Sequence, residues 1–211
     1  MQRKLIISDF DDVITSICPK WIEKYITEHH PDEIPNIESH KQGVQTRPGY
    51  YMTSYEGLPI DYKQLLSVYS NDPLFYDDLP YEPIVDGLRT GLANRNFDLA
   101  VVSLVLSDTD PVNASKERMF NAIFGGMNGV TLHLVHGMSK REYVEKNGLS
   151  HYSLFIDDKF STIVDLMTHH KGKEFKVPMM EHNRIKSEEE EAAIKQVLDL
   201  NGNQLFFYKT S

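Results

Sequence analysis

Asp9 and Asp11 are the side chains best placed to do chemistry, because they stand two residues apart where an apolar run ends. Leu5, Ile6 and Ile7 read as a buried strand, and Asp9-Phe10-Asp11-Asp12-Val13 follows with no loop between. A carboxylate is costly to bury unpaired, so two or three of them at a strand's end call for a cation. The tip of a parallel strand in an open α/β sheet is also where such sheets hold their ligands. One carboxylate there can attack phosphorus as a nucleophile. A second can protonate the leaving alkoxide and then deprotonate the attacking water. Anionic nucleophile and anionic phosphate repel each other, and Mg²⁺, which prefers carboxylate, water and phosphate oxygens, is the cation suited to screen them.

Three further features follow in chain order. Ser103 ends the apolar run Leu99 to Val102, Lys140 stands at the start of a helical pattern, and Asp157-Asp158 directly follows Leu154-Phe155-Ile156. If these strands are parallel, all of the features lie at one carboxyl edge. A serine hydroxyl and a lysine ammonium can hold the equatorial oxygens of a phosphoryl group. Two acidic clusters at the ends of separate strands would repel unless a metal joins them. Lys116 competes for the phosphate-binding role, but at the start of a mid-chain helix it reads as a surface residue, and Lys140 is preferred.

The elements that must position these groups are legible in the hydrophobic periodicity. From about Asn94, short apolar runs (Leu99 to Val102, Val130 to Val135, Ser153 to Ile156, Phe175 to Val177) alternate with helical patterns over Lys116 to Phe124, Ser139 to Lys146 and Phe160 to His169. Strands alternating with helices imply right-handed crossovers and a mainly parallel sheet. A helix capped by Ser187 and Glu190 and a last strand over Leu205 to Tyr208 complete the series. Residues 13 to about 80 break the alternation. Pro19 opens a helix with Trp21, Ile22, Tyr25 and Ile26 on one face. A polar stretch through His40 to Pro48 follows, with Gly43 and Gly49, and then a helical pattern carrying Leu65, Leu66 and Tyr69. The expected fold class is an α/β three-layer sandwich with a central parallel sheet (residues 1–12 and 81–211) and a small helical cap (13–80) inserted after the first strand.

Composition bounds the partners. With 211 residues, the chain can hold one core and a modest insertion. Its 31 acidic and 22 basic residues give a net charge of −9, which opposes binding to a nucleic-acid polymer. A small phosphate ester needs only a metal and a lysine. Cys18 is the single cysteine, so no internal disulfide forms. It reads as a small packing residue near the cleft. No membrane span is visible, and a strand beginning almost at Met1 leaves no room for a leader, so a cytoplasmic, reducing compartment is expected. A homodimer through the cap or a sheet edge is compatible with the sequence. The pairs His29-His30 and His169-His170 are poor chelators on a helix and mark helix ends.

Ile6-Ile7-Ser8-Asp9-Phe10-Asp11-Asp12-Val13-Ile14 resembles the first motif of the haloacid dehalogenase-like superfamily, and Ser103, Lys140 and Asp157-Asp158 match its second, third and fourth motifs in order. The resemblance implies that Asp9 is the nucleophile and Asp11 the general acid/base, and that Ser103 and Lys140 bind the phosphoryl group. It implies Mg²⁺ held by Asp9, the Asp11 main-chain carbonyl, Asp157 and Asp158. The second aspartate, Asp11, favours phosphatase chemistry over dehalogenation. More narrowly, Asp72-Pro73-Leu74-Phe75-Tyr76-Asp77-Asp78-Leu79 and Phe155-Ile156-Asp157-Asp158 resemble the 5′(3′)-deoxyribonucleotidase family. That implies a nucleoside monophosphate as substrate, with cap aromatics stacked on its base. Trp21, Phe75 and Tyr76 are the candidates, and packing within the cap is the other reading of each. Two positions depart from that family: Leu104 follows Ser103 where it has proline, and Met138 stands two residues before Lys140 where it has arginine. The alternatives are a polynucleotide 3′-phosphatase, a phosphatase of another small metabolite, and a catalytically silent binding protein with the same fold.

Overall fold

The computed structural model describes residues 3–46, 55, 57–178 and 188–208. Strand β1 (Lys4–Ser8) and strand β2 (Phe97–Leu104) sit at the centre of the sheet because both of their faces are apolar. Alternation sends Leu5, Ile7, Ala100 and Val102 to one face and Leu99 and Val101 to the other. Helices α4 (Ile84–Ala93) and α5 (Val112–Phe124) cover the Val101 face with Val85, Leu88, Met119 and Phe120. Helices α6 (Lys140–Lys146), α7 (Phe160–His169) and α8 (Glu188–Asn201) cover the opposite face with Val144, Ile163, Leu166 and Ile194.

With β3 (Val130–Val135), β4 (Leu154–Ile156), β5 (Glu174–Pro178) and β6 (Gln204–Tyr208), the sheet has six strands in the order β3-β2-β1-β4-β5-β6. All of the pairings are parallel. This is the expected three-layer α/β architecture. The chain winds outward from β1 to β3 and then resumes on the other side of β1 with β4. Crossovers leave in opposite directions at that point, which opens a crevice at the carboxyl ends of β1 and β4.

Between β1 and α4 the chain forms helices α1 (Cys18–His29), α2 (Ile37–Thr46) and α3 (Tyr62–Ser70), with a short 3₁₀ turn over Pro31–Asn36. Pro19 lies in the first turn of α1, where its missing N–H costs nothing. Ile22, Tyr25, Ile26, Leu58, Leu65 and Val68 pack into a cluster of their own. The polar stretch from His40 is helical as far as Thr46, which the sequence did not signal. Gly43 in it is a close-approach position, since a Cβ there would lie 2.6 Å from the Tyr55 ring. His29 and His169 end their helices, as expected. The expected Ser187 cap, Pro48 and Gly49 lie outside the described residues. Among the described residues, no helix is long and apolar enough to cross a membrane.

Candidate active site

The register between β1 and β4 builds the first half of the site. Ser8 pairs with Ile156, and the Asp9 N–H donates to the Ile156 carbonyl at 2.8 Å, so Asp9 and Asp157 emerge side by side. Carboxylate oxygens of Asp9, Asp157 and Asp158 lie within 4.8 Å of one another, and all three residues are buried. Lys140 enters from the first turn of α6, whose start is fixed by a capping box between Ser139 and Glu142. Its Nζ lies 2.6 Å from Asp9 Oδ2 and 2.7 Å from Asp157 Oδ2.

The Lys140 ammonium therefore bridges Asp9 and Asp157, with Asp158 beside them. Burial raises the Asp9 pKa, Lys140 opposes the rise, and Asp157 and Asp11 add to it, so that the group is pushed up to about 6. Burial first, and then the charges of Asp9 and Asp157, push Asp158 well above the carboxylate range. Burial works to lower the Lys140 pKa, but Asp157 and Asp9 outweigh it and hold the ammonium charged. Neither oxygen of Asp158 has a hydrogen-bond partner. An orphaned, buried carboxylate beside two others is a hard-oxygen donor set in want of positive charge, and a divalent cation fits it.

The second half is built by a turn. Asp12 takes a left-handed conformation (φ +54°), which Asp tolerates better than most residues, and its N–H donates to the Thr15 carbonyl at 2.7 Å. Asp12 Oδ1 accepts from the Ile17 N–H at 3.0 Å. The Asp11 carboxylate is paired separately from the three-carboxylate cluster: its Oδ1 accepts from the Tyr76 hydroxyl at 2.5 Å and its Oδ2 from Lys116 Nζ at 2.7 Å. Lys116 also donates to Ser103 Oγ at 2.8 Å.

Lys116 is fully buried, which corrects the expectation of a surface lysine. Burial lowers its pKa, but Asp11 and Tyr69 oppose that more strongly and the net shift is upward. The sequence did hold a signal for it. Lys116, Met119, Phe120 and Ile123 fall at i, i+3, i+4 and i+7, the inward stripe of α5, so a lysine there must reach a buried anion.

Asp9, Asp11 and Lys140 form part of the wall of a cavity of about 310 Å³. Trp21 of α1 and Leu66 and Tyr69 of α3 form another part, and Leu104, Leu106 and Met138 a third. Leu104 and Met138, where the sequence departs from the nucleotidase pattern, are thus both cavity residues. Phe75 and Tyr76 are fully buried core rings, and neither lines this cavity. Tyr76 reaches the site through its hydroxyl alone, whereas Tyr69, which the sequence did not mark as a site residue, packs against Trp21 with ring centroids 4.9 Å apart and planes tilted by 35°. Cys18 lines the cavity and packs partly into two cores.

No protein-family model and no curated protein matches the chain. Solved structures do. A protein from Clostridium difficile provisionally assigned as a phosphatase superposes with a TM-score of 0.54 at 10% identity, over 98% of this chain and 95% of its own. A protein from Bacteroides fragilis provisionally assigned as a haloacid dehalogenase-like hydrolase gives 0.51 at 9% identity, over 99% and 98%. At such identities the likeness establishes the fold, and the fold is haloacid dehalogenase-like.

Proposed function

We propose that this haloacid dehalogenase-like fold carries a magnesium-dependent phosphomonoesterase acting on a small phosphate ester. The observation that carries the reading is the buried group of Asp9, Asp157 and Asp158, with Lys140 paired to the first two and Asp158 without a hydrogen-bond partner. Asp9, Asp157 and Asp158, with the Asp11 main-chain carbonyl, would hold Mg²⁺. When bound, the ion supplies the positive charge that lets a carboxylate approach a phosphate.

The chain's own residues divide the remaining work. Ser103 and Lys140 bind the phosphoryl oxygens, and Lys116 donates to the Ser103 hydroxyl and to Asp11. An Asp9 oxygen attacks phosphorus, the bond from phosphorus to the alcohol oxygen breaks, and Asp11 delivers a proton to that oxygen. Water then attacks phosphorus in the aspartyl-phosphate and Asp11 takes its proton. The bond from phosphorus to Asp9 breaks, and inorganic phosphate leaves. Tyr76 and Lys116 hold the Asp11 carboxylate within reach of this exchange.

Residues 13–80 act as the cap, and α1 and α3 bring Trp21, Leu66 and Tyr69 to the cavity. The packed ring pair Trp21 and Tyr69 supports a ring-bearing substrate, of which a nucleoside monophosphate is the one the sequence resemblance implies. A polynucleotide end fits less well, given the net charge of −9 and the helices that wall the cavity.

Magnesium-dependent phosphate release from a panel of mononucleotides, sugar phosphates and aryl phosphates tests the proposal. Asp9→Asn should abolish release while leaving the circular dichroism spectrum intact. Unchanged turnover by that variant would refute the assignment.

A further inference from the structure

The polar atoms that the cavity's aromatic and acidic wall residues carry are mostly committed inside the protein. Trp21 Nε1 donates to the Leu65 carbonyl at 2.6 Å. The Tyr69 hydroxyl is paired with that of Tyr76 at 2.8 Å. Asp12 accepts from the Ile17 N–H and lies 3.5 Å from Cys18 Sγ. What Trp21 and Tyr69 have left to offer an occupant is ring carbon.

The rest of the wall continues in the same character. Leu66, Leu104, Leu106 and Met138 line it, and Leu104 and Leu106 are 39% and 46% exposed although both flank the cavity close behind Ser103. Large leucines left that open at the cavity gain by being covered. Outside the carboxylates and Lys140, the polar residues of the wall among those described are Tyr62, Lys159 and Thr162. A polyol bound there would give up water at several hydroxyls with few replacements, and each group left without a partner weakens binding by roughly five- to a hundredfold.

We infer that the site selects phosphate monoesters of apolar, ring-bearing alcohols over those of polyols and nucleosides. The phosphate is held at the Lys140 end of the cavity, and the alcohol's ring is covered by Trp21, Tyr69 and the leucines. This rests on the phosphomonoesterase reading and departs from the nucleoside monophosphate that the sequence resemblance implies, in favour of a less polar alcohol. Binding is anchored by charge at one end and by apolar contact at the other, so selectivity among esters appears mainly in KM.

The test uses the full-length protein with Mg²⁺ and measures phosphate release from four compounds. Phenethyl phosphate and glycerol phosphate esterified at a primary hydroxyl have leaving alcohols of similar acidity, which matches the chemical step. Thymidine monophosphate adds a nucleoside, and acetyl phosphate lacks any ring. The expected kcat/KM for phenethyl phosphate exceeds that for glycerol phosphate and for thymidine monophosphate by at least about tenfold, with the difference carried by KM. Leu106→Ser, and separately Leu104→Asn, should shrink that ratio severalfold. Each ratio is measured within one protein preparation, so a partly unfolded variant still reports. Equal or better turnover of glycerol phosphate or thymidine monophosphate would overturn the inference and leave the phosphatase reading standing. A ratio unmoved by both leucine substitutions would also overturn it. Absence of phosphate release from all four, acetyl phosphate included, would overturn the phosphomonoesterase reading itself.

Discussion

Asp158→Asn offers the sharpest test of the acidic cluster, because its effect can be read without any substrate. Asp158 is fully buried, neither of its oxygens has a partner, and it sits with Asp9 and Asp157 around one ammonium. Three carboxylates and the Lys140 ammonium carry a formal charge of −2, and proton uptake relieves it in the metal-free protein, consistent with the raised pKa of Asp158 and of Asp9. A cation that binds only the folded state stabilises it by about 2.7 kcal/mol at a hundredfold excess over its Kd. For a chain of this size each kcal/mol moves the melting midpoint by roughly 2–4 °C, so magnesium should raise it by about 5–10 °C. Asparagine keeps the shape of the side chain and removes one charge. The variant should therefore melt higher than the metal-free wild type and should lose most of the magnesium response. The assay is thermal unfolding by circular dichroism of chelator-treated protein, titrated with MgCl₂ at constant ionic strength. A wild-type midpoint indifferent to magnesium would refute the reasoning, as would an asparagine variant that keeps the full shift.

Three further outcomes are expected. Lys116→Met replaces the buried ammonium by an apolar side chain of similar size and leaves Asp11 held by Tyr76 alone. Losing one partner of a buried pair costs about 3–5 kcal/mol, and slight exposure of Asp11 to the cavity brings the expected loss to about 2–3 kcal/mol in urea unfolding. Phosphate release should fall by about a hundredfold or more, and a variant neutral in both assays would show the pair to be idle. Tyr76→Phe deletes the hydroxyl that bridges Tyr69 to Asp11 and should cost about 1 kcal/mol in the same unfolding assay, with wild-type stability as the contrary result. Burial holds the His170 pKa below its ordinary 6.5, although Glu145 at 3.4 Å pulls the other way. Its contribution to stability is therefore complete above the unfolded pKa and is lost as pH falls through the lower folded value. The wild type's advantage over His170→Gln should shrink between about pH 7.5 and 5, and parallel melting profiles for the two proteins would contradict this.

The sequence by itself determined which groups can react and which segments carry them. Asp9 and Asp11 after an apolar run, Ser103 and Asp157-Asp158 after two others, and Lys140 at a helix start are local facts, set by composition and by the two periodicities of strand and helix. The alternating apolar runs likewise announced a parallel sheet. What needed the tertiary structure was every relation across the chain. That Asp9 stands beside Asp157 follows from β4 pairing with β1, a strand order that no local pattern encodes. Lys116 is 105 residues from Asp11, and its burial becomes meaningful only when the inward stripe of α5 is laid against the turn after β1. Phe75 and Trp21 look equally suited to stack on a substrate, yet one is sealed in the core and the other walls the cavity. Reactivity is a property of side-chain type and is written residue by residue. Which anion meets which cation, and which ring meets solvent, depends on the three-dimensional packing of distant elements.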